Sequence, residues 1–171
     1  MLKNLLVYRL VIVNLLWLLF LGYAQTQGWV ERVIAGDHTG IIWICVAFFA
    51  YSLWSTAIRA GKVSKCLNAL KDKQPLNINP VKFVAKGAHL NELPGWIMLV
   101  GLTGNVIGIM LSIESANLGA GDPQQSIVGL LSSMGVAFSA TIASGVLALW
   151  AMINGQILNT ATVCMLEDAK S

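Results

Sequence analysis

Gly101-Leu-Thr-Gly-Asn-Val-Ile-Gly108 and, further along, Ala137-Phe-Ser-Ala-Thr141 are the stretches on which the reading of this chain turns. Each interrupts a long apolar run with small and polar side chains. A bilayer penalises polar groups that lack partners, so these residues are expected to face another protein surface or a wet path.

Working outward from them, composition sets the class. The chain has 171 residues, of which 56% are hydrophobic and 11% charged, with mean hydropathy +0.70. Soluble domains carry about 25% charged residues. There is room for several membrane spans and for no second globular domain. Four apolar segments stand out, at residues 5–23, 41–58, 95–113 and 127–157. The first three are near the ~20 residues that cross a bilayer. The fourth is longer, and its last turns are expected to project beyond the membrane. The expected fold is an all-α membrane protein with four transmembrane helices.

Charge orients the helices. Lys3 and Arg9 flank the first span, and Glu31, Arg32 and Asp37 lie in the first connection. The second connection carries Arg59, Lys62, Lys65, Lys71, Lys73, Lys82 and Lys86 against Asp72 and Glu92. The third carries Glu114 and Asp122 and no cation. Positive loops stay in the cytoplasm. Both termini and the Lys-rich loop are therefore expected inside, and the two acidic connections outside. The chain divides into 1–60 (helices 1 and 2 with their external connection), 61–93 (a short, basic, helical cytoplasmic loop) and 94–171 (helices 3 and 4 with a cytoplasmic tail). The net charge of +3 is a topology signal and gives no reason to expect nucleic-acid binding.

The start also has the layout of a cleavable signal segment. A retained membrane helix is the expectation, with Arg9 snorkelling to the inner headgroups. Asn14 inside that helix makes either a helix–helix hydrogen bond or a functional group. Trp29, Trp43 and Trp96 suit interfacial anchoring, whereas Trp17, Trp54 and Trp150 pack against lipid or neighbouring helices. Cys45 falls in the second span. Cys66 and Cys164 fall on the inner side, where thiols stay reduced, and no metal-ligand spacing occurs. His38 and His89 sit in connections and are expected to be solvated. No nucleophile elbow, phosphate-binding glycine loop or paired carboxylates appear, so no enzyme activity, metal or cofactor is expected.

In the basic loop, Lys62 to Lys73 reads as an amphipathic helix continuing the second span, with Val63, Leu67 and Leu70 on one face. Pro75 and Pro80 punctuate a turn region, and Val81 to Ala88 form a further short helix. The cations serve topology or bind anionic lipid headgroups.

In the third span Gly101, Gly104, Gly108 and Ser112 recur at three- and four-residue steps and form one stripe, with Asn105 at its border. In the fourth span Ser133, Ala137, Thr141, Ser144, Ala148 and Ala151 form a similar stripe. Small stripes let membrane helices pack closely, and Thr141 has the option of a bond back to the Ala137 carbonyl. Packing alone accounts for the pattern.

The order of residues adds to it. Val100-Gly-Leu-Thr-Gly-Asn-Val-Ile-Gly-Ile109 resembles the Gly-Leu-x-Gly-Thr-Val-x-Gly-Met/Ile signature of the MotA/TolQ/ExbB proton-channel family. Ala137-Phe-Ser-Ala-Thr-Ile-Ala-Ser144 is similar to that family's Ala-Leu-x-x-Thr-x-x-Gly segment in the next helix. The resemblance covers residues 93–159, and the four-span layout resembles the MotA branch. Asn105 stands where the signature has Thr, and Ser144 where it has Gly. Trp150 lies near the place of a common proline. The basic loop is much shorter than in flagellar stators.

The resemblance implies a stator-type subunit of a bacterial or phage-encoded inner-membrane motor. It implies a homo-oligomeric ring of five copies around a dimer of single-span partners resembling MotB, TolR or ExbD. The partner helix carries the carboxylate that takes up and releases an ion, here a proton. Asn105, Thr141, Ser144 and Ser133 then face the ion pathway or the partner, while Gly101, Gly104, Gly108 and Ala137 pack helices. Glu114 lies about 14 Å along the helix from Asn105. It attracts cations at the outer mouth or is an ordinary solvated loop charge. A structural membrane scaffold and a small self-contained channel are the alternatives.

Overall fold

The computed structural model describes residues 5–37, 39–72, 80–115 and 123–168; for residues 80–82, 112, 115 and 168, and for most of 123–137, it describes the backbone alone. The described residues form helices α1 (Leu6–Thr26), α2 (Trp29–Ala35), α3 (Ile41–Lys71), α4 (Pro80–Ala85), α5 (His89–Ser115) and α6 (Pro123–Asp168). Of these, α1, α3, α5 and α6 are long and apolar enough to cross a membrane. The chain is therefore an all-helical, multi-pass membrane protein by length and composition.

Consecutive long helices run antiparallel. The start of α1, the end of α3, the start of α5 and the end of α6 meet at one end. Leu6, Leu10, Val63, Leu67, Leu90, Leu93, Leu158 and Met165 bury one another there. Lys62, Lys65, Lys71 and Lys86 belong to this basic end; Glu31, Asp37 and Glu114 lie toward the other. A second apolar cluster fills the middle, where Ile41, Cys45, Phe49, Ile97, Ala148, Trp150 and Ala151 meet.

The expected extension of the second span is present. α3 runs unbroken to Lys71, with Val63 and Leu67 buried and Leu70 packed on the same cluster. α5 likewise starts at His89 and enters the apolar zone without a break. The ends of the basic segment are thus continuations of α3 and α5. The short helix expected over 81–88 forms as α4, with Pro80 as its first residue, where a missing N–H costs nothing. Pro75, His38 and Lys73 lie outside the described residues.

α2 was not expected from the sequence. Gly28, at φ 69°, turns the chain from α1 into it, a conformation that a Cβ would disfavour. Its far end rests on α6, because a Cβ added at Gly36 would lie 2.6 Å from Ser139 Oγ. Asp37 then starts α3. Its Oδ2 accepts from the Ile42 amide at 2.8 Å, and its Oδ1 accepts from the Thr39 hydroxyl at 2.7 Å. A carboxylate on orphan amides at a helix N-terminus stabilises it twice, through the hydrogen bond and through the helix dipole. Asp37→Ala is expected to cost about 1 kcal/mol, a fall of roughly 2–4 °C for a chain of this size. Thermal unfolding in detergent checks this, and an unchanged midpoint would remove Asp37 from the account.

α1 is the most loosely held of the four long helices. Its outer surface exposes Tyr8, Val11, Ile12, Leu15, Leu16, Leu18, Leu19 and Phe20, as a lipid-facing helix should. It is pinned by one polar node. Trp150 Nε1 donates to Asn14 Oδ1 at 2.7 Å, and Asn14 Nδ2 donates to Asn154 Oδ1 at 2.8 Å. Asn154 Nδ2 also reaches the Trp150 carbonyl at 3.0 Å. The Trp17 and Trp150 rings stack beside this node at 5.5 Å, and Phe49 closes it from α3 at 4.7 Å. Asn14 therefore makes the helix–helix bond, and both Trp17 and Trp150 pack against helices. Trp54, 70% exposed, faces outward.

Candidate functional site

The site is built on α5 and α6, the most closely packed pair in the chain. Glycine makes that approach possible. A Cβ at Gly101 would collide with Ser144 Cβ and Oγ and would lie 3.1 Å from the Ala140 carbonyl. A Cβ at Gly104 would lie 2.9 Å from Ile41 Cγ2 and 3.2 Å from Ala140 Cβ. Gly101 is thus opposite Ser144, and Gly104 sits in the corner between α6 and α3. Gly108 continues the buried row.

This register places the two polar side chains. The contacts of Gly101 with Ser144 and of Gly104 with Ala140 set the antiparallel register, which brings Asn105 and Thr141 to within one or two residues, about 3 Å, of the same height. Successive residues are about 100° apart around a helix. That turns Asn105 away from α3 while leaving it beside α6. Around the pair the surface is apolar and exposed: Leu102 and Ile109 on α5, and Phe138 on α6. α1 and α3 cover the opposite side of the α5–α6 pair.

Asn105 Oδ1 and Thr141 Oγ1 are buried, and neither has a hydrogen-bond partner. Among the described residues these are the two side-chain polar atoms in that condition. The contrast with other hydroxyls is informative. Thr103 bonds to the Leu99 carbonyl at 2.9 Å, Ser139 to Gly135 at 3.1 Å, and Thr162 to Leu158 at 2.8 Å. Thr141 does not make the bond back to Ala137. A buried polar atom without a partner costs about 1–3 kcal/mol, and hydrocarbon offers it nothing.

The remaining predicted residues separate into groups. Ser144, grouped by the sequence with the ion path, is 1% exposed and sealed in the α5–α6 seam. Its hydroxyl donates to the Thr141 carbonyl at 3.1 Å. It belongs with Gly101 in the packing contact, because the antiparallel register sets the two face to face. Glu114 is exposed near the end of α5. Ser133 and Ala137 lie on α6, but their side chains are outside the described residues, as is that of Ser112.

Two residues were misread or missed. His89, expected to be solvated, is half-buried: its Nε2 lies 3.4 Å from Ser55 Oγ, and its ring is 6.2 Å from that of Tyr51. Asn154 drew no notice, although it is 1% exposed and completes the node on α1. Its signal was an amide four residues after Trp150 in an otherwise apolar helix. No group of metal-ligating side chains occurs among the described residues. No protein-family model, curated protein or solved structure matches the chain.

Proposed function

We propose that the chain is the ring-forming subunit of a motor or proton channel driven by the proton-motive force. In this reading it sits in a bacterial inner membrane with both termini inside, and five copies enclose a dimer of single-span partners. The observation that carries the reading is the pair of orphaned atoms, Asn105 Oδ1 and Thr141 Oγ1, buried at nearly the same height between α5 and α6, at the edge of the face that α1 and α3 leave uncovered. The motif resemblance in the same two helices supports it.

The chemistry of the pair suits a titrating carboxyl. Asn105 Oδ1 is an acceptor and matches a protonated carboxyl, which offers an O–H. The Thr141 hydroxyl donates as readily as it accepts, and the Asn105 amide nitrogen donates, so a carboxylate also finds partners there. Those donors offset part of the cost of a charge at membrane depth. Once protonated, the same group passes the flanking apolar surface of Leu102, Ile109 and Phe138 more cheaply. One charge crossing the membrane gains about 2.3 kcal/mol per 100 mV, several times thermal energy, which is enough to rectify such motion. Sodium would require several converging oxygens, and the described pair supplies two.

The test is to purify the tagged chain from the membranes of the cells that encode it, then measure proton uptake in vesicles. A single-span protein with a carboxylate in its apolar segment should co-purify. Asn105→Ala and Thr141→Ala should leave the assembly intact and lower the flux about ten- to a hundredfold, the rate equivalent of ~1–3 kcal/mol per lost buried hydrogen bond. The isolated chain should lose no stability on Asn105→Ala, because an unmatched acceptor disappears. Wild-type flux in both variants would end the proposal. A structural scaffold is the second reading. It is favoured by the use of Gly101 and Gly104 inside one chain, and it predicts no flux at all.

A further inference from the structure

The basic end holds a second site that the motor reading does not use. A cavity of about 130 Å³ opens between α3, α4, the first turn of α5 and the last turns of α6. Water occupies about 30 Å³ per molecule, so the cavity has room for several waters or for one tetrahedral oxyanion. Its wall carries one cation, Arg59, two amides, Asn91 and Asn159, and one hydroxyl, Thr162. It carries no acid. Glu92, next to Asn91 in sequence, is exposed and outside the wall.

Arg59 is poorly satisfied where it stands. It is half-buried, directly after the exposed Ile58 that closes the apolar part of α3. A guanidinium has five N–H donors. Among the described residues the one bond it makes runs from Nη1 to the Phe83 carbonyl at 3.4 Å, which is long. Gly87 leaves space for it, since a Cβ there would lie 2.5 Å from Arg59 Nη1. The fold has thus cleared room around a cation and, among the described residues, set no carboxylate in the wall beside it. Desolvating a charge without a counter-ion is costly, and a planar guanidinium favours two-pronged binding to phosphate oxygens. The exposed amides of Asn91 and Asn159 add donors on either side.

We propose that this pocket binds a phosphate-bearing anion, and that its source is the headgroup of an anionic phospholipid. The position argues for the lipid. The pocket lies where the apolar faces of α3 and α5 end. Lys62, Lys65 and Lys86 stand exposed at the same end of the fold, and each cation near a membrane surface attracts anionic lipid by about 1 kcal/mol. Acyl chains would then run along α3 beside Ile58. This inference does not rest on the motor reading.

The experiment uses the full chain in detergent, with retention of added phosphatidylglycerol or phosphatidylcholine read by native mass spectrometry. Wild-type protein should retain phosphatidylglycerol and release phosphatidylcholine. Arg59→Gln should lower that retention about tenfold or more, the loss expected of a charge-assisted hydrogen bond. Asn159→Leu keeps the charge and fills the exposed mouth of the pocket, so it should lower retention as well. Lys62→Gln removes a charge from α3 outside the wall and should lower retention by no more than about fivefold, the equivalent of ~1 kcal/mol and less than the loss at Arg59. Excess inorganic phosphate should leave the lipid bound; displacement by phosphate supports the same pocket chemistry with the free ion as its source. Equal retention by wild type and by both pocket variants, each of native helicity and elution volume, overturns the proposal. So does equal retention of the two lipids.

Discussion

Gly101→Leu is expected to abolish the folded protein: no monodisperse species after extraction, and rapid loss of the chain from the membrane. Even a methyl group at this position meets Ser144 Cβ, which the α6 backbone holds in place, and the Ala140 carbonyl at 3.1 Å. Neither can move unless the helices part. Overpacking of a close contact costs about 1–3 kcal/mol for small insertions, and an isobutyl group exceeds what this seam can yield. Gly101→Ala should therefore survive with a midpoint several degrees lower. Ser144→Gly in that background removes the two closest atoms that the new methyl meets, leaving the Ala140 carbonyl at 3.1 Å, and should restore most of the loss. Gly104→Ala is the milder partner, since its contacts, Ile41 Cγ2 at 2.9 Å, Ile41 Cδ1 at 3.1 Å and Ala140 Cβ at 3.2 Å, are all longer than those at Ser144. Detergent-stage thermal unfolding of the four variants measures all of this. A Gly101→Leu protein with wild-type stability would mean that α5 and α6 do not touch at this level.

Asn14→Leu is the second large effect, expected to destabilise by about 2–4 kcal/mol. The substitution leaves Trp150 Nε1 without its acceptor and Asn154 Oδ1 without its donor. Each orphaned buried group costs about 1–3 kcal/mol. Interhelical hydrogen bonds in membranes average nearer ~0.6 kcal/mol because the unfolded reference finds partners too, so the estimate stays below the sum. The distinguishing feature is non-additivity. Asn154→Leu alone should also destabilise, and the double variant should cost less than the two singles together, because only Trp150 Nε1 is then stranded. Unfolding in mixed micelles by increasing denaturing detergent measures the cycle. Small, additive effects would show that α1 is held by its apolar contacts and not by this node.

The long helices were readable because a span announces itself through length and lack of charge. The extension of α3 was readable for a related reason: Val63, Leu67 and Leu70 repeat at helical spacing, and they do bury against the other helices at the basic end. α2 was not readable. Its seven residues are too few for a periodic signal, and it holds through Gly36 against Ser139, a contact more than a hundred positions apart in the chain. The same separation hid the polar node. Asn14 could be recognised as needing a partner, but nothing local to it names Asn154.

The site was half legible. Asn105 and Thr141 stood out as polar residues in hydrocarbon, and they are the described residues whose buried polar atoms lack partners. Ser144 shares their stripe on a helical projection, yet it points into the seam. A stripe drawn from one helix spans some 60° or more of its surface. Only the register with α5 decides which edge is covered. His89 was misjudged because the turn before α5 folds back on α3, a tertiary event that carries no local signature.

α6 runs for 46 residues without interruption. From Thr141 to Asp168 is about 40 Å of helix, longer than the ~30 Å hydrocarbon layer. Such a rod works as a pointer. Each degree by which it leans at the level of Thr141 swings its far tip by about 0.7 Å. A rearrangement too slight to open the bilayer would be magnified into a displacement of atomic size at Met165 and beyond, where anything clasping the tip would register it.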